Sequence, residues 1–214
     1  MNITVVTQPQ AEPVTLEDVY THLRLDPEDS PPTHPDDDML SRHITTARIE
    51  VEQITRRSLV EQTLRMSLSG FPCFQVRFGY DDDYYPRPGY VELLRPPVLS
   101  VLSVKYYDFN NVLQTVDSDE YFVTDDFVPK LQFKDTFAVP ETYKRDDAVR
   151  VEYVTGYTPE GSPPEDYAAN IPGPIKDAIL LGVQLLYDQL SPEQRKAIES
   201  ARNSLLYSFK VHSF

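Results

Sequence analysis

The chain has 214 residues, 20 basic and 34 acidic, for a formal charge of −14. That balance excludes a nucleic-acid binder of the electrostatic kind, whose affinity comes from clustered Lys and Arg displacing counterions from phosphates. The length and an apolar fraction of 40% fit one large domain or two small ones, and 19 prolines against 7 glycines predict stiff connections.

A lone Cys73 cannot form an intrachain disulfide, so nothing demands an oxidising compartment, and a buried thiol is expected. No apolar run approaches the ~20 residues that span a bilayer, and residues 1–14 lack the basic start and apolar core of a secretion signal. The expectation is a soluble protein of the cytoplasm, or of something assembled there, with no membrane contact.

The first helix signal is Thr15-Leu16-Glu17-Asp18, a capping hydroxyl with a carboxylate three residues on, with Val14 placed to staple onto Val19. A short helix is predicted from residue 16 to 23 or 25. Residues 26–35 cannot continue it, because Pro27, Pro31, Pro32 and Pro35 remove donors and restrict their neighbours. Leu40, Ile44, Ala47, Val51 and Ile54 then recur at spacings of four and three, one stripe of a second helix. Asp36, Asp37 and Asp38 supply acids at its start, and Arg42, Arg48, Glu52 and Arg56 are expected mostly away from the buried stripe.

From Leu59 the period changes to two: Val60, Gln62, Leu64, Met66 and Leu68 alternate with Glu61, Thr63, Arg65 and Ser67, as in a strand with one buried face. Similar pieces follow at 74–78, 90–94, 98–107, 120–124, 130–133 and 149–155, separated by Pro, Gly, Asn and Asp clusters. Asp108-Phe109-Asn110-Asn111 reads as a hairpin turn, and the acidic stretch 80–85 as a loop. Pro174 suits the first position of a helix running to residue 188, apolar nearly all round through Ile179, Leu180, Leu181, Val183, Leu185 and Leu186. This helix is expected to sit against the stripe from Leu40 to Ile54. Ser191-Pro192-Glu193-Gln194 is a second capping box, opening a helix with Ile198, Ala201 and Leu205 on one side, and the end from Leu205 to Phe214 is unusually apolar for a terminus.

The fold class that follows is α+β: a helical bundle of N- and C-terminal helices with an inserted antiparallel β module. The expected division is 1–58 for the N-terminal helices, 59–157 for the β module, 158–190 for the linker and core helix, and 191–214 for the last helix and tail.

The spacings that chemistry requires are missing. His22, His34, His43 and His212 form no HExxH pair and have no CxxC beside them, and there is no GxSxG elbow, GxxxxGK[ST] loop or GxGxxG turn. Asp36–38 and Asp81, Asp82 and Asp83 offer oxygens for a hard cation, but consecutive aspartates on an extended chain point to alternate faces, and neither cluster has the glycine and distal glutamate of a calcium loop. Helix-start charge and a solvated loop tip explain them more simply. No catalytic, metal or cofactor residue is assigned. The 14 tyrosines, with Tyr84-Tyr85 and Tyr106-Tyr107 in pairs, suit sheet packing or a contact surface more than base stacking, since no basic groove accompanies them.

An ordered set of segments resembles the head-tail connector (adaptor, head-completion) proteins of tailed bacteriophages. The set begins with Val14-Thr15-Leu16-Glu17, His22-Leu23-Arg24-Leu25-Asp26, Asp37-Asp38-Met39-Leu40 and Ile44-Thr45-Thr46-Ala47-Arg48, leading to Glu52 and Arg57-Ser58-Leu59. It continues with Gly70-Phe71-Pro72, Arg95-Pro96-Pro97-Val98, Ser100-Val101, Val104-Lys105-Tyr106-Tyr107-Asp108 and Val151-Glu152-Tyr153-Val154-Thr155-Gly156-Tyr157. Ile171-Pro172, the run from Ile175 to Leu181, and Leu186-Tyr187 close it. The proline-rich 30–35, the acidic loop 79–89 and the helical tail after Ser191 depart from the simplest members.

The resemblance implies a structural virion protein of the phage neck, at the head-tail junction and assembled in the host cytoplasm. It implies a ring of twelve copies under the portal after packaging, extending the DNA channel and docking a stopper, tail terminator or tail hub. DNA would pass without specific binding, and surplus acid facing the lumen or rim would repel phosphates over a Debye length of about 8 Å. Portal docking falls to the last helix and tail, through Ile198, Ala201, Leu205, Leu206, Tyr207 and Phe209. The helical core and subunit contact fall to Leu40, Ile44, Val51, Ile54, Ile179, Leu180 and Leu186. Two other classes stay open from residues alone: a cytoplasmic α+β module that binds a protein partner through its tyrosine-rich sheet or loops, and a metal-dependent hydrolase using Asp81 and Asp83 with other acids.

Overall fold

The computed structural model describes residues 2–27, 32–77, 84–161 and 166–211; of residues 73–77 and 84–88 only the backbone is described. In chain order the elements are β1 (Asn2–Thr7), α1 (Leu16–Leu23), α2 (Asp37–Thr55), β2 (Gln62–Leu68), β3 (Cys73–Arg77), β4 (Tyr84–Pro88), β5 (Tyr90–Glu92) and β6 (Val98–Tyr107), then β7 (Leu113–Thr115), β8 (Tyr121–Val123), β9 (Lys130–Phe133), β10 (Val149–Thr155), α3 (Gly173–Tyr187) and α4 (Pro192–Leu206). The fold is α+β. It divides into two compact units, a β unit of residues 1–8 and 62–156 and a helical unit of residues 9–61 and 157–214.

In the helical unit, Thr15 caps α1 as expected: its hydroxyl accepts from Asp18 N–H, and the Asp18 carboxylate accepts from Thr15 N–H at 2.8 Å. Val14 and Val19, flanking this cap, are both buried in one core. Leu40, Ile44, Ala47 and Val51 of α2 join that core with Ile175, Ala178, Ile179 and Val183 of α3, and α2 packs on α3. Ile54 and Leu180 are only partly buried against it, and Leu186 is 42% exposed and stands outside it. That corrects the placement of Leu186 in the helical core: it lies in the last turn of α3, past the buried positions 175, 179 and 183. Pro174 sits at the second position of α3, since Gly173 is already helical. Both α1 and α2 end on an arginine in the left-handed conformation, Arg24 at φ 58° and Arg56 at φ 56°.

The larger departure concerns charge. Arg48 and Glu52, expected to face water, are buried at 7% and 4% exposure. Arg48 Nη1 donates to Glu52 at 3.1 Å and Nε to Glu12 at 2.7 Å, while the other Glu52 oxygen accepts Leu59 N–H at 2.9 Å. The pair therefore fastens the segment before α1 and the turn after α2 to one helix. The tyrosines Tyr20 and Tyr187 hold the start of α2, donating their hydroxyls to Asp37 and Asp36 respectively. Burial and this bond push the Tyr20 hydroxyl up to about 12, and the same bond with the His34 N–H holds the Asp37 carboxyl below its usual range.

In the β unit, a five-stranded antiparallel sheet has the order β1-β2-β10-β6-β7, a second sheet has the order β5-β9-β8, and β3 pairs with β4. Leu64, Met66, Val104, Val149, Val151 and Tyr153 from the first sheet share a core with Val91, Leu131 and Phe133 from the second. The Tyr153 hydroxyl is satisfied there, donating to Leu94 O at 2.9 Å. Strands β6, β9 and β10 carry the predicted bounds. β1 and β7 were not foreseen, and Tyr84 and Tyr85, expected in a loop, open β4.

Candidate interaction surfaces

Helix α4 begins as predicted, the Ser191 hydroxyl accepting Gln194 N–H at 3.3 Å and Gln194 returning the bond to Ser191 N–H at 2.9 Å. Its inward face is built on an arginine. Arg202, 8% exposed, donates Nη1 to Glu50 at 2.8 Å and Nε to Ala178 O at 3.2 Å. Room for the guanidinium comes from Gly182 of α3, where a Cβ would lie 3.0 Å from the Ala47 methyl and 3.1 Å from Arg202 Nη2. One turn on, Leu206 is fully buried, and beyond the helix Val211 N–H donates to Thr55 O at 2.9 Å and Arg57 Nε to Phe209 O at 2.8 Å.

The six residues proposed for portal docking are thus divided. Leu206 is committed to the core of its own unit, which removes it as an anchor for a partner; Leu205 and Phe209 are packed against that core, and Ile198 is half-buried. Ala201 is exposed, and Tyr207 is 74% exposed. Tyr207 closes an open groove with Lys196, Glu199, Ser200, Asn203 and Ser204 on the outward face of α4. The polar members of this groove carry no apolar signal in the sequence.

The β6–β7 hairpin forms a second surface. The Asp108 carboxylate accepts Asn110 N–H at 2.9 Å, Val112 N–H at 3.0 Å and Gln114 Nε2 at 2.9 Å, bonds that hold it below its usual range. Asn111 takes φ 61°, the left-handed geometry foreseen for this turn. Arg145 lies 3.7 Å over the Tyr107 ring and donates to Asp147 and, at 3.0 Å, to Asn111 Oδ1. Arg145 and Arg150 together press the Asp147 carboxyl far below its usual range. On this braced turn Phe109, Val112 and Leu113 are 66%, 52% and 43% exposed.

Strand β1, at one edge of the five-stranded sheet, and the part of β6 that β7 does not cover also expose apolar side chains. On β1 the register to β2 skips Val6, between Val5 opposite Leu64 and Thr7 opposite Thr63, and Val5 and Val6 are exposed. On β6 the register to β10 skips Leu99 and Leu102, both exposed, while Val98, Val101 and Val104 face Thr155, Tyr153 and Val151. The sequence signal was the repeat Val-Leu-Ser-Val-Leu-Ser-Val, whose period of three needs one bulged residue per triplet to keep every valine on the core side.

Among the described residues, no three His, Cys, Asp or Glu side chains gather as a metal site requires, and no helix is long and apolar enough to cross a membrane. Asp81, Asp82, Asp83 and His212 lie outside the described residues.

No family model matches the sequence, and neither does any curated protein. Solved structures do match over the whole chain. The fold is similar to that of a chain in the neck of an empty GTA particle computed with C6 symmetry, at TM-score 0.71 and 16% identity, covering 100% of this chain and 97% of the other. A chain of the virion of a native gene transfer agent (GTA) particle and one of the native GTA neck computed with C12 symmetry each match at TM-score 0.66, 16% identity and the same coverage. At that identity the shared property is the fold.

Proposed function

We propose that this chain is a structural component of the neck of a phage-like particle, a head-tail connector that works by shape and self-association and catalyses nothing. The observation that carries the reading is the end-to-end match of fold, 100% of this chain against 97% of a neck chain, with β module and both flanking helical segments included. In this reading the copies form a ring of twelve under the portal once DNA is packaged, extend the channel, and present a surface to a stopper, tail terminator or tail hub. The particle is its location, and host cytoplasm its place of assembly. The neck computed with C12 symmetry is in keeping with that number.

The portal contact belongs to the outward face of α4, with Tyr207 as its exposed aromatic; large aromatics in a desolvated centre are the usual anchors of an interface. The charge of −14 per copy suits a channel that repels phosphates, so DNA slides without specific binding. The experiment is electron microscopy of the purified protein alone and mixed with the portal of the same particle. Rings, or caps on the portal, are the expected result. Persistent monomers with the portal present, or a divalent-cation-dependent hydrolytic activity, would overturn the reading.

A further inference from the structure

The five-stranded sheet has two unlike open edges. Among the described residues no strand pairs with the outer side of β1, and β7 reaches along β6 only from Tyr107 to Lys105, followed by one bond from Val116 N–H to Val104 O. Among the described residues no strand pairs with Val98–Ser103 on that side. The two free stretches are six residues each, Asn-Ile-Thr-Val-Val-Thr and Val-Leu-Ser-Val-Leu-Ser, and neither holds a charged residue or proline in a chain that is 25% charged. Natural sheets blunt such edges with lysine, proline or charge. Bulges also blunt edges, but here they expose Val6, Leu99 and Leu102, adding apolar surface where protection would remove it.

We propose that these two edges are made for each other in neighbouring copies: the outer side of β1 of one copy pairs antiparallel with Val98–Ser103 of the next. The inference rests on the ring reading above and names its subunit contact. Topology supports the direction. With every neighbouring pair in β1-β2-β10-β6 antiparallel, β1 and β6 run oppositely, so a copy related by rotation alone brings β1 beside β6 in antiparallel sense. Such a contact joins two different patches, repeats head to tail, and closes when the rotation closes. Charge supports the occupant as well. Copies carrying −14 each repel one another, and two uncharged edges are where they can approach. The shared sheet would advance four strand spacings per copy, about 19 Å, so twelve copies describe a circle of about 37 Å radius and leave an open lumen. Edge pairing supplies main-chain hydrogen bonds, and burial of Val6, Leu99 and Leu102 adds the apolar part.

The test uses the full chain in a Cys73→Ser background, assembled alone or on portal. One double variant carries Thr4→Cys with Ser100→Cys and another Val5→Cys with Leu102→Cys, each sampling a different register of the shared edge. Oxidation of assembled rings should give a ladder of covalent multimers from at least one double variant and monomers from every single variant. In parallel, Val6→Asp and Leu102→Asp, at exposed positions that leave the fold unchanged by circular dichroism, should each lower ring yield at least tenfold. Val6→Asp combined with Leu102→Lys should recover most of it. Rings that form normally with both charge variants and never cross-link would overturn the edge assignment while the neck reading stands. Wild-type protein that never forms rings, even on portal, would overturn both.

Discussion

Replacing Arg48 by methionine tests how the helical unit is held together. The guanidinium is 8% exposed and bridges Glu12 and Glu52, and the Glu52 side chain is itself 5% exposed. Methionine fills much of the volume, so the cost falls on Glu52, which keeps the Leu59 N–H and loses the Arg48 guanidinium. Breaking a buried pair from one side destabilises by about 3–5 kcal/mol. The retained bond points to the lower end, about 3 kcal/mol, a large part of the ~5–15 kcal/mol by which a domain is stable. Arg48→Met with Glu52→Gln removes the buried carboxylate charge that Arg48 faced and keeps an acceptor for Leu59, so it should be more stable than the single variant by about 1–2 kcal/mol. Arg65→Met serves as the control, since Arg65 and Glu152 are 38% and 23% exposed and an exposed pair contributes about 1 kcal/mol or less. Urea unfolding followed by far-ultraviolet circular dichroism measures all three without screening the charges. An Arg48→Met protein within about 0.5 kcal/mol of wild type would refute the reasoning, because it would mean that water reaches Glu52.

Ile44→Asp should unfold the helical unit by burying an unpaired carboxylate, whereas Leu186→Asp, at a position 42% exposed, should shift the urea midpoint very little. Gly182→Leu should destabilise by about 1–3 kcal/mol through crowding of Ala47 and Arg202, outweighing the ~1 kcal/mol helical advantage over glycine; an unchanged melting temperature would contradict the arginine seat. Tyr207→Ala should leave stability within about 0.5 kcal/mol yet reduce attachment to portal or filled heads at least tenfold in a sedimentation assay, while truncation after Ser191 should also destabilise, since it removes Arg202 and Leu206. For Asp147 the folded carboxyl titrates well below the unfolded one, so its contribution to bracing the β6–β7 turn is fully present above the unfolded value and is lost as pH falls through the folded one. Amide exchange at Asn111 should therefore stay slow at mildly acid pH and rise only in strong acid, and Asp147→Asn should make it fast at neutral pH.

Local rules carried the sequence reading a long way. The capping boxes at Thr15 and Ser191, the turn at Asp108 and the bounds of β6, β9 and β10 depend on neighbouring residues, and the structure has them as expected. What stayed hidden depends on distant partners. Arg48 and Glu52 look like solvent-facing charges until Glu12, 36 residues away, and the Leu59 N–H are brought to them. Nothing local in the sequence marks Arg202 as inward; the space beside Gly182 and the carboxylate of Glu50 make it the inward residue of α4. The apolar count misjudged that helix for the same reason, placing Leu206 on a docking face when it completes the core. β1 had a legible signal in its β-branched run Ile3 to Thr7, but its place at the edge of the sheet follows from the register to β2.

The central claim is that this chain acts as one of many identical copies around a passage for DNA. Cryo-electron microscopy of DNA-filled particles containing the protein tests it most directly. The account predicts a closed ring of this fold directly beneath the portal, with α4 turned to the portal and Val98–Ser103 of each copy beside β1 of the next. Filled, tailed particles whose neck lacks the protein, or holds it as single copies, would contradict it.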